Sequence, residues 1–388
     1  GNNNTAVGNN ALTANTTGGN NTAIGALALD SNTTGDSNTT VGRNSLATNS
    51  TGDDNTAVGQ SALASNTTAD NNTAVGRNAL LLNTTGTQNV AVGAYALDAN
   101  TTSGNLTAIG YNALGGNTTG TENTGIGRQA LLTNSTGSYN VALGVNALYQ
   151  NTTANNNTAC GNSSLAANTT GANNVAVGAA ALDANTTGAN NVAVGYDALG
   201  STTTGDQNTA VGGYALDTNT TGEYNVAIGY AAMDANTTAN YNTGVGYHAL
   251  KANTTGTQNV ALGANALDAN TTANNNIGIG YFALGANTTG ADNVALGSQA
   301  LDANTTASNN TALGRATLKS NTTGHSNTAV GYEACKDQTT TNNNTGVGYK
   351  SLENQTGTKN TGLGAYTLGN GTTAVSYTHL RAHETCEN

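Results

Sequence analysis

Proline and tryptophan are absent from this 388-residue chain, phenylalanine and methionine occur once each (Phe282, Met233), and only 8% of residues are charged. With bulky apolar side chains so scarce, one large globular core is excluded, and a series of thin repeated cores is what remains. Ten Lys and Arg residues are scattered among 21 Asp and Glu, for a net charge of −11, which leaves no nucleic-acid footprint. No apolar run reaches the length of a membrane span, and no signal peptide is visible. Three cysteines do not make a disulfide framework. Cys160 and Cys335 stand where other repeats carry Val and Leu, as small core hydrophobes, and Cys386 lies in an atypical tail. Four histidines (His248, His325, His379, His383) join no nucleophile–base–acid set, and the glycines form no phosphate-cradling loop ahead of a helix. The expectation is a protein without enzymatic activity, cofactor or metal centre.

The chain is dominated by Asn, Thr, Gly and Ala, ordered into a 17-residue phrase that reads ANNVAVGAAALDANTTG over residues 172–188. Its positions are counted from one to seventeen. Asn stands at three, Thr or Val at four, a small residue at five, Val, Ile or Leu at six, and Gly at seven. Ala and Leu follow at ten and eleven, Asn-Thr-Thr at fourteen to sixteen, and Gly or Ala at seventeen; the other positions vary. Twenty-two phrases run from Asn2 to Ala374, and only the one beginning at Asn342 is a residue short. Low-complexity disorder is the competing reading of such a composition. Apolar residues that return in register every phrase decide against it. A fixed short period means a solenoid or fibre.

The phrase is too short for a helical hairpin, and its apolar residues lack a 3.6 period. Asn-Val-Ala-Val-Gly alternates with period two and reads as a short strand with positions four and six on one face. These two positions and the Leu at eleven are the expected core; the small residue at five faces the other way, where it lets another chain approach. Ala-Leu reads as a second strand, and Asn-Thr-Thr-Gly as the return turn, with Asn tolerating left-handed geometry. Two strands and two turns make one coil of a parallel β-solenoid, with like residues stacked in ladders about 4.8 Å apart. The expected organisation is one array over residues 1–374 and a non-repeat tail, 375–388. Because Gly1 reads as the last residue of a preceding phrase, the chain is expected to begin inside a longer protein.

Asn-Val-Ala-Val-Gly and Asn-Thr-Ala-Ile-Gly, each followed by Ala-Leu and Gly, resemble the head repeats of YadA-like trimeric autotransporter adhesins. Similar repeats occur in phage tail-fibre-like proteins. The resemblance implies an all-β, left-handed β-roll-like solenoid of 22 coils, three chains side by side, an extracellular or cell-surface location, and a head that binds host matrix or other cells. The repeat here is longer than the family's usual one by about three residues, with the added length expected at Asn-Thr-Thr. Neither a coiled-coil stalk nor a membrane-anchor barrel nor a tail-fibre chaperone is recognisable. The tail's segment 376–385 resembles translated sequencing-adapter read-through; a natural capping segment is the alternative.

The sharpest candidate chemistry is at position fourteen. Asn15, Asn32, Asn49, Asn66, Asn83, Asn100, Asn117, Asn134, Asn151, Asn168, Asn185, Asn219, Asn236, Asn253, Asn270, Asn287, Asn304 and Asn321 each open an Asn-x-Thr glycosylation pattern. On one reading a stripe of glycans coats a secreted fibre. On the other, the Asn residues form a ladder that satisfies turn backbone groups, and a spacing of about 4.8 Å leaves little room for a sugar on each. O-linked sugars on the paired Thr residues stay open. A third use of the same residues is a flat Asn-x-Thr array resembling an ice-binding surface. Asp at position twelve (Asp30, Asp98, Asp183, Asp217, Asp234, Asp268, Asp302) reads as solvated loop, since the repeated calcium motif is missing. Tyr at position eight (Tyr111, Tyr196, Tyr230, Tyr247, Tyr281, Tyr332, Tyr349) reads either as a sugar-stacking surface or as surface β-propensity. The expected function is structural display or adhesion by a self-associating chain, with a ligand-binding solenoid (ice or glycan) or a tail-fibre segment as alternatives.

Overall fold

A computed structural model describes residues 1–368 and contains 22 three-residue strands, one per phrase, with no helix among the described residues. The architecture is the expected parallel β-solenoid, about 17 residues to the turn. The strands fall into two compact units. Unit one ends at Gln207 and holds β1 (Thr5–Val7), β2 (Thr22–Ile24) and their successors as far as β12 (Val192–Val194). Unit two begins at Asn208 and runs from β13 (Thr209–Val211) to β22 (Thr361–Leu363). The tail, 375–388, lies outside the described residues, and with it Cys386, His379 and His383.

Within each unit the strands pair in parallel with zero slip. Thr5, Ala6 and Val7 face Thr22, Ala23 and Ile24, and each strand position meets its own kind one phrase on. The shortened phrase at Asn342 is absorbed without losing the ladder, Thr345 pairing with Thr361.

The strand is turned the opposite way from the expectation. From β2 onward the small residue at position five is the buried one, Ala23 and Ala176 being fully inaccessible, while positions four and six face outward. Val177 is 39% exposed and Leu262 47%. The physical reason is room: a coil whose opposite wall already carries a Leu at position eleven has space for a methyl group at five. Gly125 lacks even that, and a Cβ placed there would stand 3.2 Å from Leu114 Cγ. The core is therefore made of the residues at five, ten and eleven, with Ala176, Ala181 and Leu182 fully buried in one phrase and their ladder neighbours likewise.

Ala-Leu forms no second strand. Residues eight to thirteen of the phrase make a turn in which positions nine and eleven are left-handed, as in Ala180 (φ 56) and Leu182 (φ 53). Position two is the third left-handed site, for example Asn173 (φ 60), whereas the Asn at fourteen is not one. A bulky residue in this conformation costs of the order of 1–2 kcal/mol. Two gains offset it: burial of the Leu side chain, and a hydrogen bond across the coils, as from Leu165 N–H to Ala181 O at 3.0 Å. The Gly at position seven has no substitute. In Gly178 φ is 139°, and a Cβ would lie 2.3 Å from Gly195 O of the next coil.

Candidate interaction surfaces

The Asn residues expected to carry glycans are inside the coil. Asn32 through Asn321 at position fourteen are fully inaccessible, and Asn15, in the first coil, is half-buried. The amide of Asn168 shows why. Its Nδ2 donates to Gly171 O at 3.0 Å and to Asn151 Oδ1 at 2.9 Å, while its Oδ1 accepts from Asn185 Nδ2 at 2.9 Å. Both N–H groups are committed, and a glycosidic bond would have to replace one of them in a site with no room for a sugar. Of the two readings of these Asn residues, the ladder is the one the hydrogen bonds describe.

The Asn at position three completes this corner. Asn157 Nδ2 donates to the same Gly171 carbonyl at 2.9 Å, and its Oδ1 accepts the Asn174 backbone N–H at 2.9 Å. One carbonyl thus takes two amide donors per coil. Leu106 marks the one phrase where an apolar residue replaces this Asn. It is 1% exposed and keeps only the backbone half of the pattern, donating to Asn89 Oδ1 at 3.0 Å.

The Asn-x-Thr array considered for ice is likewise not a surface, since its Asn half is buried. The Thr at position fifteen is tied down as well, Thr169 Oγ1 donating to Thr186 O at 2.9 Å, and of the Asn168-Thr169-Thr170 segment only Thr170 is exposed.

The outward strand columns form a regular surface within each unit. Positions four and six present Thr, Val, Ile, Leu and Cys160, and none of the 22 described strands carries a charge. Tyr at position eight borders them: Tyr230 and Tyr247 stack 6.0 Å apart at 12°, Tyr332 and Tyr349 5.3 Å apart at 10°, while Tyr111 and Tyr281 meet Tyr95 and Phe282 edge-on. In the stacked pairs the covered faces are not offered to a sugar, whereas Tyr111 and Tyr281 stay about half exposed.

Asp98, Asp183, Asp234, Asp268 and Asp302 are partly buried, and burial raises their pKa above the usual carboxylate value. Asp197 adds to this at Asp183, whereas Lys251 opposes it at Asp234 and Lys319 at Asp302. Among the described residues no three His, Cys, Asp or Glu side chains come together as a metal site. Burial pushes the Cys335 thiol up to about 12, in line with its place in the Leu column of position eleven. Cys160 instead sits half-exposed on the outward face, so it is not the core residue expected. Desolvation also lowers the pKa of His248, with Lys251 acting the same way.

Position five accepts almost nothing but Ala and Gly, whereas four and six accept several shapes, a difference that becomes an interior wall only through the narrow space left inside the coil. No protein-family model matches this chain, and no curated protein matches it.

Proposed function

We propose that this chain is a non-enzymatic structural segment of an extracellular or cell-surface fibre, whose copies associate side by side through the outward strand columns, three to a bundle if it follows the trimeric adhesin heads it resembles. The observation that carries the reading is the uncharged outward face of every described strand, with Val, Ile, Leu or Cys160 at position six and Thr, Val or Ile at position four. Half-exposed Val, Ile and Leu run along position six, interrupted by Cys160, beside a column of Thr mixed with Val and Ile277 at position four, and together they make an uncharged patch of a kind monomeric proteins rarely leave open. Over unit one, twelve coils at about 4.8 Å and a face about 13 Å wide give roughly 750 Å², close to one partner's share of a standard interface. Because each coil repeats the same pattern, parallel in-register packing puts Cys160 of one copy beside Cys160 of the next.

The test is sedimentation equilibrium together with mild oxidation of the purified chain. The expected outcome is a homo-oligomer in which peptide mapping finds Cys160 joined to Cys160. A monomer at tens of micromolar would overturn the association. An oligomer joined only through other residues would overturn the parallel register. Display of the head to host matrix or to other cells follows from the resemblance, and binding to immobilised matrix proteins tests it.

A further inference from the structure

Outside the strand face, one place in unit one gathers side chains the repeat does not otherwise supply. A groove of about 440 Å³ runs over the turn side of four successive coils. Arg128 and Asp183 are among its lining residues, with Gln129, Asn146, Gln150 and the ring of Tyr149. In a chain that is 8% charged and 4% aromatic, this grouping is local. Arg128 is exposed and has no ion-pair partner among the described residues. Asn146 Oδ1 is buried without a hydrogen-bond partner. The other such atoms belong to the interior columns at positions three and fourteen (Asn185, Asn321, Gln355, Asn360), so among the described residues Asn146 alone has this defect in the turn. Because that atom is itself covered, an enclosed water or a turn of the amide is what would satisfy it, and the groove is carried by its lining side chains.

We propose that this groove is a binding site for an acidic oligosaccharide, with the guanidinium of Arg128 on a sugar carboxylate. Planar amides offering both donors and acceptors suit the hydroxyls of a pyranose, and one tyrosine ring suits its apolar face. An unpaired arginine selects carboxylate, which it binds with two parallel N–H donors. Asp183 accepts from hydroxyls at the opposite end, three coils away, a span of about 14 Å that fits two to three sugar units. The groove lies on positions eight to thirteen and not on the strand columns, so binding there does not depend on whether the copies associate.

Calorimetric titration of the full chain with trigalacturonate, and with maltotriose as the neutral counterpart, tests it. Saturable binding of the acidic sugar is expected, weakened by added salt. Arg128→Gln is expected to lower the affinity at least about tenfold, the scale of one charge-assisted contact. Tyr149→Ala should lower it comparably, and Arg77→Gln, which removes a guanidinium stacked over Tyr95, should not. Matching circular dichroism of all variants confirms the fold. No saturable binding of trigalacturonate at millimolar concentration, equal binding of maltotriose, or unchanged affinity in both Arg128→Gln and Tyr149→Ala would each overturn the proposal.

Discussion

Each coil holds two regions in which the usual order of a protein is reversed. The corner built from positions three, fourteen and seventeen is polar and buried, while the strand columns at four and six are apolar and half-exposed. The polar corner is tolerable inside because translation along the coils supplies its partners: Asn168 meets Asn151 on one side and Asn185 on the other. A buried amide is costly when any donor or acceptor is unmet and can be stabilising when all are met. The apolar columns lack such a partner. In the isolated chain they leave Val177 39% exposed, and what would cover them is another surface of the same kind. In this repeat polarity does not say which side is in; completeness of partnering does.

Breaking the polar corner is expected to have the largest effect. Asn168→Ala leaves Gly171 O short of one donor, Asn151 Oδ1 without its own, and one N–H of Asn185 without an acceptor. About 2–4 kcal/mol of stability should go, read from denaturant unfolding or local amide exchange; a loss below about 1 kcal/mol would mean the ladder is not a network. Asn157→Leu, the change that Leu106 already represents in its own phrase, should cost less. Roughly 1–2 kcal/mol is expected, since burial of the Leu side chain offsets part of the loss.

The apolar face should respond in the opposite sense. Val177→Lys with Val194→Lys is expected to leave monomer stability within about 0.5 kcal/mol per site, because both side chains are already part-solvated. The same pair should abolish self-association by setting like charges against each other. A stable monomer that also unfolds much more easily would show the columns to be core after all. The two cysteines sharpen this further: in the dissociated double-Lys variant a thiol reagent should label Cys160 and spare Cys335 until the chain unfolds, whereas association of the unsubstituted chain should protect Cys160 as well.

The smallest effect concerns pH. The raised pKa of Asp183, caused by burial and then by Asp197, means its charged form is disfavoured in the folded state. Its contribution is therefore favourable below the unfolded value near 4 and is lost as pH rises through the raised folded value. Asp183→Asn should flatten the fall in stability as pH rises from about 4, measured as thermal midpoint against pH.

Much of the architecture can be read without coordinates. Period, parallel ladders, the strand at positions four to six and the indispensable Gly at seven are all present in the phrase. Two expectations fail for physical reasons that the phrase does not carry. Val-Ala-Val alternates, and alternation says that two faces differ without saying which is inside. Ala-Leu looks like a strand because Leu is a poor candidate for φ near 53°, yet inter-coil hydrogen bonds and burial hold Leu182 there. The groove is invisible in the phrase because its residues, from Arg128 to Asp183, occupy variable positions spread over four repeats.

By itself, then, the sequence determined the repeat, the coil and the stacking of like on like, since a strict period forces each residue to meet its own copy. Only the tertiary structure decided which side of the strand is in, where the Asn amides go and what the exposed surface offers. Those questions depend on the space left inside a coil only 17 residues around and on hydrogen bonds between coils, neither of which a one-dimensional pattern records.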